Sequence, residues 1–187
     1  AHYERYPRDA DTARRVADHL SGHEVRLPDG GLLTVEAFQS AGILLGQSGG
    51  SHALHYLLED PFAGDELSDA FLYAMMGQVS FAAGPLYALL HEAAYAQGEA
   101  TRWSAQRIRA EYPEFGPEED PLYFTGEMIY PWMIDGDPVL RPFRRAAGIL
   151  AERDGWPPLY DPARLAANDV PVAAAVYYHD MYVDREL

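Results

Sequence analysis

A single run near the end of the chain, residues 170–178, has the composition of a buried β-strand, whereas almost all of the rest is patterned for helices. The run reads Val-Pro-Val-Ala-Ala-Ala-Val-Tyr-Tyr, an apolar sequence typical of strands buried within a parallel sheet. Such a strand is stable only beside hydrogen-bonded neighbours, and the chain offers almost no others. The sequence therefore predicts a mainly α chain whose last third is part of a sheet that other residues complete.

Apolar residues recur at helical spacing along most of the chain. Asp9 and Asp11 open the first predicted helix, where the helix dipole favours acids, and Thr34 is placed to cap a second helix that runs toward Leu45. Further helices are predicted over 51–59, from 66 to the Gly84-Pro85 break, and over 86–94, 101–111 and 139–153. The segment 113–121 combines prolines, a glycine and four acids, which predicts an exposed connection and a domain boundary.

Composition excludes several classes of partner. The 187 residues are 48% hydrophobic, enough for a packed core, and carry a formal net charge of −15. An acidic surface repels phosphate backbones and anionic lipid head groups, and no run approaches the roughly 18 apolar residues of a membrane span. Neither nucleic acid nor a membrane is therefore an expected partner. The absence of cysteine rules out disulfides and thiolate chemistry and favours a cytoplasmic location.

The sequence Gly46-Gln47-Ser48-Gly49-Gly50 matches the Gly-x-Ser-x-Gly pattern of a serine nucleophile at a strand-to-helix turn. Such a turn ends a central strand of a sheet, but the residues before Ser48 are patterned for helices. In addition, no histidine follows the best acid candidate, Asp180, as the Ser-Asp-His order of that fold requires. We therefore expect a loop between helices, with a compact serine hydrolase that uses Ser48 as the alternative.

The histidine patterns do not predict a metal site. His91-Glu92 begins like the His-Glu-x-x-His signature of zinc peptidases, but Tyr95 stands where the second histidine is required. His52, His55 and Glu59 share one face of a predicted helix, where such residues are usually solvated. No metal is expected.

Two glutamates stand in apolar surroundings. Glu92 interrupts an apolar predicted helix, and Glu127 lies in an unusually aromatic stretch. A buried carboxylate without a partner carries a desolvation cost, so each side chain needs a partner or a ligand. An ion pair with an arginine such as Arg102 or Arg107 is the structural alternative, and a cationic ligand is the functional one.

Three strings resemble the long prolyl aminopeptidases of actinobacteria. They are Pro-Leu-Tyr-Ala-Leu-Leu-His-Glu-Ala-Ala-Tyr-Ala at 85–96, Ala-Thr-Arg-Trp at 100–103 and Phe-Thr-Gly-Glu-Met-Ile-Tyr-Pro-Trp at 124–132. The C-terminal run 156–187 is similar to the same family, so the resemblance covers essentially the whole chain. It implies a serine peptidase of the α/β-hydrolase superfamily that releases N-terminal proline and uses no cofactor.

The resemblance also implies a division of the chain. Residues 1–123 correspond to the helical cap domain, and residues 124–187 to a partial α/β-hydrolase core segment with one clear strand. In that family the nucleophilic serine precedes the cap and the catalytic histidine follows the last position of this chain, so both are expected outside it, and the chain alone is expected to be inactive. Asp180 follows a strand opened by proline, as the triad aspartate does in the family, with Asp184 as the alternative. The implied partners are a peptide with an N-terminal proline and the remaining core segments of the enzyme.

Relatives in this family hold the free amine of the substrate with two glutamates, whose positions Glu92 and Glu127 match. Each charge-assisted bond to an ammonium contributes roughly 1.5–3 kcal/mol, and an internal peptide bond would leave both acids unpaired. The apolar proline ring favours an aromatic wall, for which the candidates are Tyr95, Trp103, Tyr130 and Trp132. A stand-alone helical module that binds cationic ligands with the same two glutamates is the alternative.

Overall fold

Short helices make up most of the regular structure in the computed structural model, which describes residues 1–178, 180, 183 and 186. The first half contains α1 (His2–Arg5), α2 (Arg8–Gly22), β1 (Val25–Arg26), β2 (Leu32–Leu33), α3 (Val35–Gln39), a 3₁₀ helix (Ser40–Gly46), α4 (Gly50–Leu58), β3 (Phe62–Ala63), β4 (Glu66–Leu67) and α5 (Asp69–Val79). The second half contains α6 (Pro85–Leu90), a 3₁₀ helix (Glu92–Ala94), α7 (Ser104–Arg109), a 3₁₀ helix (Pro113–Phe115), α8 (Pro131–Gly136), a 3₁₀ helix (Arg141–Phe143), α9 (Arg144–Ala151) and α10 (Pro162–Ala166). The mainly α prediction is confirmed.

No helix in the described part of the chain is both long enough and apolar enough to cross a membrane.

The strands form two small antiparallel pairs. β1 pairs with β2, and β3 pairs with β4. Each pair is a two-residue ladder beside a turn, so these pairs connect helices and do not build a sheet.

The start of α3 follows the predicted capping pattern, but its end does not. The Thr34 hydroxyl accepts a hydrogen bond from the Ala37 amide at 3.1 Å, as an N-cap should. The chain stays helical toward Leu45, as predicted, but it changes from an α-helix to a 3₁₀ helix after Gln39. There the Gln39 carbonyl accepts from the Thr125 amide at 2.9 Å, and a Cβ on Gly42 would lie 2.2 Å from the Thr125 carbonyl oxygen. The close approach of a distant segment thus sets the end of the helix.

The larger hydrophobic core joins α2, α3, α4 and α5. Its fully buried large side chains include Leu33, Phe38, Leu54, Leu58 and Met75. Phe38 packs edge-on against Phe124, with ring centroids 5.3 Å apart. The segment after position 123 therefore helps to close the core of the first half.

A second core lies between α6, α7, α8 and α9. Its buried members are Ala88, Ala105, Ile129, Tyr130, Met133, Ile134, Leu140 and Ala147. Because 88–105 and 129–147 share this core, packing is continuous across position 123. A boundary drawn by packing alone falls after Ala151, the last residue of α9.

Buried polar side chains join α1, α2 and α4. His2 Nε2 lies 3.0 Å from Asp9 Oδ2, and His2 Nδ1 lies 2.8 Å from the Ser51 hydroxyl. His55 Nδ1 lies 3.0 Å from the other oxygen of Asp9. Burial lowers the pKa of His2, while the neighbouring Asp9 charge acts in the opposite direction. Asp9, in α2, thus ties this helix to α1 through His2 and to α4 through His55.

The chain from 152 to 178 is exposed, apart from the partly buried Trp156. The run 170–178, predicted as a buried strand, is not a strand, and Val172 is 82% exposed. The prediction of one clear strand is wrong for this chain by itself, since the residues that the structure describes provide no parallel neighbour for it and a strand without hydrogen-bonded neighbours is unstable.

Candidate functional site

Glu92 lies at the start of the 3₁₀ helix that follows α6 and is only 8% exposed. Its Oε1 atom accepts a hydrogen bond from the Ser104 hydroxyl at 2.9 Å and another from the Ala105 amide at 3.1 Å. Both donors belong to the first turn of α7, where amides have no partner within the helix. A carboxylate from a distant residue thus caps a short helix.

The arginines proposed as partners of Glu92 bind elsewhere. Arg102 Nε lies 3.5 Å from Glu152, and Arg107 donates to the carbonyls of Thr101 and Arg102 at 2.9 and 3.3 Å. The arginine alternative is therefore wrong for Glu92. Neutral donors hold this carboxylate, so its charge has no cation beside it among the described contacts.

The turn before α7 has an unusual backbone. Arg102 and Trp103 both have positive φ angles, 47° and 56°, a conformation that costs residues other than glycine of the order of 1–3 kcal/mol each. The Arg107 hydrogen bonds to the carbonyls of Thr101 and Arg102 stabilise this turn. This turn places the Ser104 hydroxyl within hydrogen-bonding distance of Glu92.

Tyr95 and Trp103 lie in the surroundings of Glu92, and their role as an aromatic wall for a proline ring stays a prediction. Trp103 lines a narrow crevice together with Glu92 and Ile129. Tyr95 is half exposed. Burial raises the pKa of Tyr95 and the negative charge of Glu92 raises it further, while Ser104 acts in the opposite direction. Glu92 thus has two aromatic rings in its surroundings.

Glu127 is partly buried and is held by an aromatic hydroxyl. The Tyr87 hydroxyl donates a hydrogen bond to Glu127 Oε1. Burial raises the pKa of Tyr87, and this hydrogen bond and the Glu127 charge raise it further. Here too, a neutral donor holds one oxygen of the carboxylate.

A row of rings links the surroundings of the two glutamates. The rings of Tyr87 and His91 are 5.1 Å apart, and those of His91 and Tyr95 are 5.7 Å apart. Because these residues are spaced four apart, they follow one face of the chain through α6 and the next turn. At one end of the row, Tyr87 contacts Glu127. At the other end, the negative charge of Glu92 raises the pKa of Tyr95.

Tyr130 lies in the second hydrophobic core and not on an open wall. It is 2% exposed, its ring stacks on Trp132 at 5.4 Å, and the Arg109 guanidinium carbon lies 5.5 Å from the ring centroid. Burial raises its pKa, while Arg109 acts in the opposite direction. Contact of Tyr130 with a substrate stays a prediction that this burial does not favour.

Asp180 is exposed and lies in the C-terminal segment. Its Oδ1 accepts from the Val183 amide at 3.1 Å, and its own amide donates to the Tyr177 carbonyl at 3.2 Å. Its role as the triad aspartate stays a prediction. The alternative, Asp184, lies outside the described residues.

Ser48 is an exposed residue in the turn between a 3₁₀ helix and α4. The element directly before this turn is a 3₁₀ helix and not a strand, so the strand-turn-helix geometry of a nucleophile is not found at Ser48. Of the nearby histidines, His55 binds Asp9 and His52 Nδ1 is bonded to the Tyr6 hydroxyl. Within the described residues, no three His, Cys, Asp or Glu side chains are placed to hold a metal ion.

The sequence predicts a site role for Glu92, Tyr95, Trp103 and Glu127 but not for Ser104 or Tyr87, whose side chains contact the two glutamates. The signal for Tyr87 was available, because Tyr87, His91 and Tyr95 repeat at helical spacing. Ser104 gave no such signal, since its contact with Glu92 depends on the left-handed turn that precedes it.

Two curated proteins are similar to the chain over nearly all of its length. One is a proline iminopeptidase from Aeromonas sobria, 48% identical over 185 residues that cover 98% of this chain and 44% of that protein. The other is the proline iminopeptidase aneH from Aspergillus aculeatus, 33% identical over 194 residues that cover 100% of this chain and 42% of that protein. No family model matches the chain. The chain thus spans less than half of the length of the curated relatives that it matches.

Proposed function

The chain belongs to the proline iminopeptidase family, and from this premise we propose that it is a segment of an enzyme that releases N-terminal proline from peptides. The segment supplies the carboxylates that recognise the free amine of the substrate. The observation that carries this proposal is Glu92, a buried carboxylate with no described cation beside it and with both described hydrogen bonds on one oxygen.

A carboxylate held in this way suits a cationic ligand. A buried charge is costly when unpaired, and an ammonium at the second oxygen would neutralise it. Glu127 is anchored through one oxygen as well, by Tyr87, so the two acids have the same arrangement. Trp103 and Tyr95 provide apolar surface beside Glu92 for the proline ring.

The reaction is acyl transfer on a serine. A serine supplied from outside this chain attacks the prolyl carbonyl and gives its proton to a histidine from the same source, which passes that proton to the departing amine as the peptide bond breaks. Water then hydrolyses the prolyl ester and releases proline, and Asp180 orients the histidine in both steps. The two glutamates take no part in the proton transfer, but they fix the distance between the amine and the scissile bond. They therefore govern which peptides enter the site.

The cap of this enzyme comprises residues 1–123, and residues 124–187 begin the return to the core. The first part of this return, which contains α8 and α9, packs against α6 and α7 of the cap. The exposed run 170–178, apolar and without a partner strand, fits a strand that pairs only when the remaining core segments are present.

Substitution of the two acids tests the proposal in a protein of the relatives' length that contains this chain, called the full-length protein below. Glu92→Gln and Glu127→Gln each remove a charge-assisted hydrogen bond to the ammonium, worth about 1.5–3 kcal/mol, so we expect KM for prolyl 4-nitroanilide to rise about ten- to a hundredfold. Glu114→Gln, on an exposed 3₁₀ helix, is the matched control and should leave KM unchanged. A full-length protein that does not cleave this substrate, or variants with unchanged KM, would contradict the proposal.

The alternative that uses Ser48 has its own test. The chain of 187 residues by itself should neither cleave prolyl 4-nitroanilide nor react with a fluorophosphonate. Labelling that disappears in Ser48→Ala would favour the compact hydrolase.

A further inference from the structure

Exposed apolar side chains stand on one side of α6. Leu86 is 63% exposed and Leu90 is 47% exposed, and residues four apart lie on the same side of a helix. Tyr87, next to Leu86 in sequence, is exposed as well. The other side of α6 is covered, because Ala88 and Leu89 pack in the second hydrophobic core. Apolar side chains thus occupy both sides of a helix that the described residues cover on one side only.

The composition of α6 indicates that a partner covers its exposed side. Its sequence, Pro-Leu-Tyr-Ala-Leu-Leu, contains no charged residue, and a helix that is apolar on all sides is typical of a protein interior. The exposed Tyr73 of α5 differs, since it stands one turn from the exposed Asp69. A single exposed apolar side chain of that kind is ordinary, whereas a contiguous group marks an interaction surface.

The exposed side of α6 continues into the candidate site. The Tyr87 hydroxyl donates a hydrogen bond to Glu127, so the segment that carries Glu127 and the exposed Met128 adjoins α6. The rings of His91 and Tyr95 follow that of Tyr87 along the next turn. A partner that covers α6 therefore also borders the carboxylates proposed to bind the amine.

We infer that the α6 face, formed by Leu86, Tyr87, Leu90 and Met128, is the surface on which the rest of the enzyme docks with its nucleophilic serine. This inference rests on the proposed function. The chain covers 44% and 42% of the two curated relatives, so more than half of a protein of their length is available as the partner.

The chemistry of the substrate fixes the side from which this partner approaches. The free amine and the scissile carbonyl belong to the same proline residue, so the serine must lie beside the carboxylates that bind the amine. The part of the enzyme that carries the serine therefore borders the α6 face. Burial of the apolar side chains of this face stabilises the contact.

Thiol labelling of single cysteine variants in the full-length protein tests the docking surface. The 187 residues contain no cysteine, so a maleimide found by mass spectrometry on a peptide of this segment reports the introduced residue alone. Tyr73→Cys, in α5 and at a residue that is 61% exposed, is the matched control. Leu86→Cys and Leu90→Cys should react at least about tenfold more slowly than this control, because a thiol inside an interface reacts only when the interface opens. Each rate is divided by the rate of the same variant in urea.

Three results would overturn the inference. Leu86→Cys and Leu90→Cys that react as fast as Tyr73→Cys would show that the α6 face is open in the full-length protein. Equal protection of Tyr73→Cys would show that burial is not specific to this face. Protection that disappears when the protein is diluted would assign the face to a second copy of the protein.

Failure of the proposed function has a different signature. Labelling requires no turnover, so a full-length protein that does not cleave prolyl 4-nitroanilide counts against the proposed function, while the labelling rates still decide whether the rest of the protein covers α6.

Discussion

Each glutamate of the candidate site is held by a hydroxyl group that the chain places beside it. Ser104 holds Glu92, and Tyr87 holds Glu127. In both cases the hydrogen bond orients a carboxylate without neutralising it. An anion that must bind a cation benefits from a donor of this kind, because an arginine in the same place would compete with the ligand.

At Tyr87 this account predicts a specific loss. Tyr87→Phe keeps the ring, which stands between Phe81 and His91, but removes the donor to Glu127. We expect KM for prolyl 4-nitroanilide in the full-length protein to rise several-fold, as expected for loss of about 1 kcal/mol, with kcat little changed. Tyr73→Phe, at an exposed tyrosine of α5, should leave KM unchanged. An equal change of KM in both variants would contradict the role of Tyr87 as the residue that holds Glu127.

Individual site residues could be predicted from the sequence where their chemistry conflicts with their surroundings. Glu92 stands in an apolar helix, and Glu127 in an aromatic stretch. The partners of Glu92 could not be predicted, because its contact with Ser104 and Ala105 requires two consecutive non-glycine residues in the left-handed region. Nothing in residue type favours that conformation, since only glycine adopts it readily.

At the scale of elements, the turn between the first 3₁₀ helix and α4 is set by close backbone packing at Gly50. A Cβ at this position would lie 1.5 Å from the Leu44 carbonyl oxygen. Gly50 therefore serves the packing of α4 on the preceding helix. The Gly-x-Ser-x-Gly match arises from this tight turn and not from a strand that presents a nucleophile.

Two glycine substitutions separate packing from helix propensity. Gly50→Ala should destabilise the chain by about 3 kcal/mol, because the backbone must move to admit a methyl group. Gly77→Ala, within α5 and with no atom within 4 Å of the added carbon, should stabilise it by about 0.5–1 kcal/mol. Urea unfolding of both variants measures the difference, and a tolerated Gly50→Ala would show that the close approach to Leu44 is absent.

Elements were predictable where their determinants are local. The cap at Thr34 and the apolar face of α2 follow from sequence. The conformations of two other segments depend on distant partners. The end of α3 is set by the hydrogen bond from the Thr125 amide to the Gln39 carbonyl. The run 170–178 would need a neighbouring parallel strand, and the described residues supply none. Local pattern gives a propensity, and tertiary contacts decide whether it is realised.

For the whole molecule, stability should depend on pH through the buried cluster around Asp9. Burial holds the pKa of His2 below its ordinary value of 6.5, so below about pH 6.5 the unfolded chain binds a proton that the folded chain does not. The groups that face His2 are Asp9, Ser51, the N-terminal amine and, beyond Asp9, His55.

Folding stability should therefore fall as pH decreases from 7 toward 5. Urea unfolding at both values tests this, with His2→Asn as the comparison, since asparagine does not titrate. The fall should be smaller in His2→Asn than in the unaltered chain. An equal fall in both would assign the pH dependence to other groups.

The central claim is that this chain contributes the site that recognises a free N-terminal amine, and discrimination against blocked substrates measures it most directly. We would compare kcat/KM of the full-length protein for prolyl 4-nitroanilide and for N-acetylprolyl 4-nitroanilide, in the unaltered form and in Glu92→Gln. The account predicts at least about hundredfold preference for the free amine, as two charge-assisted bonds would give, and a clear reduction of that preference in Glu92→Gln. Equal rates on the two substrates, or a preference that Glu92→Gln leaves intact, would contradict it.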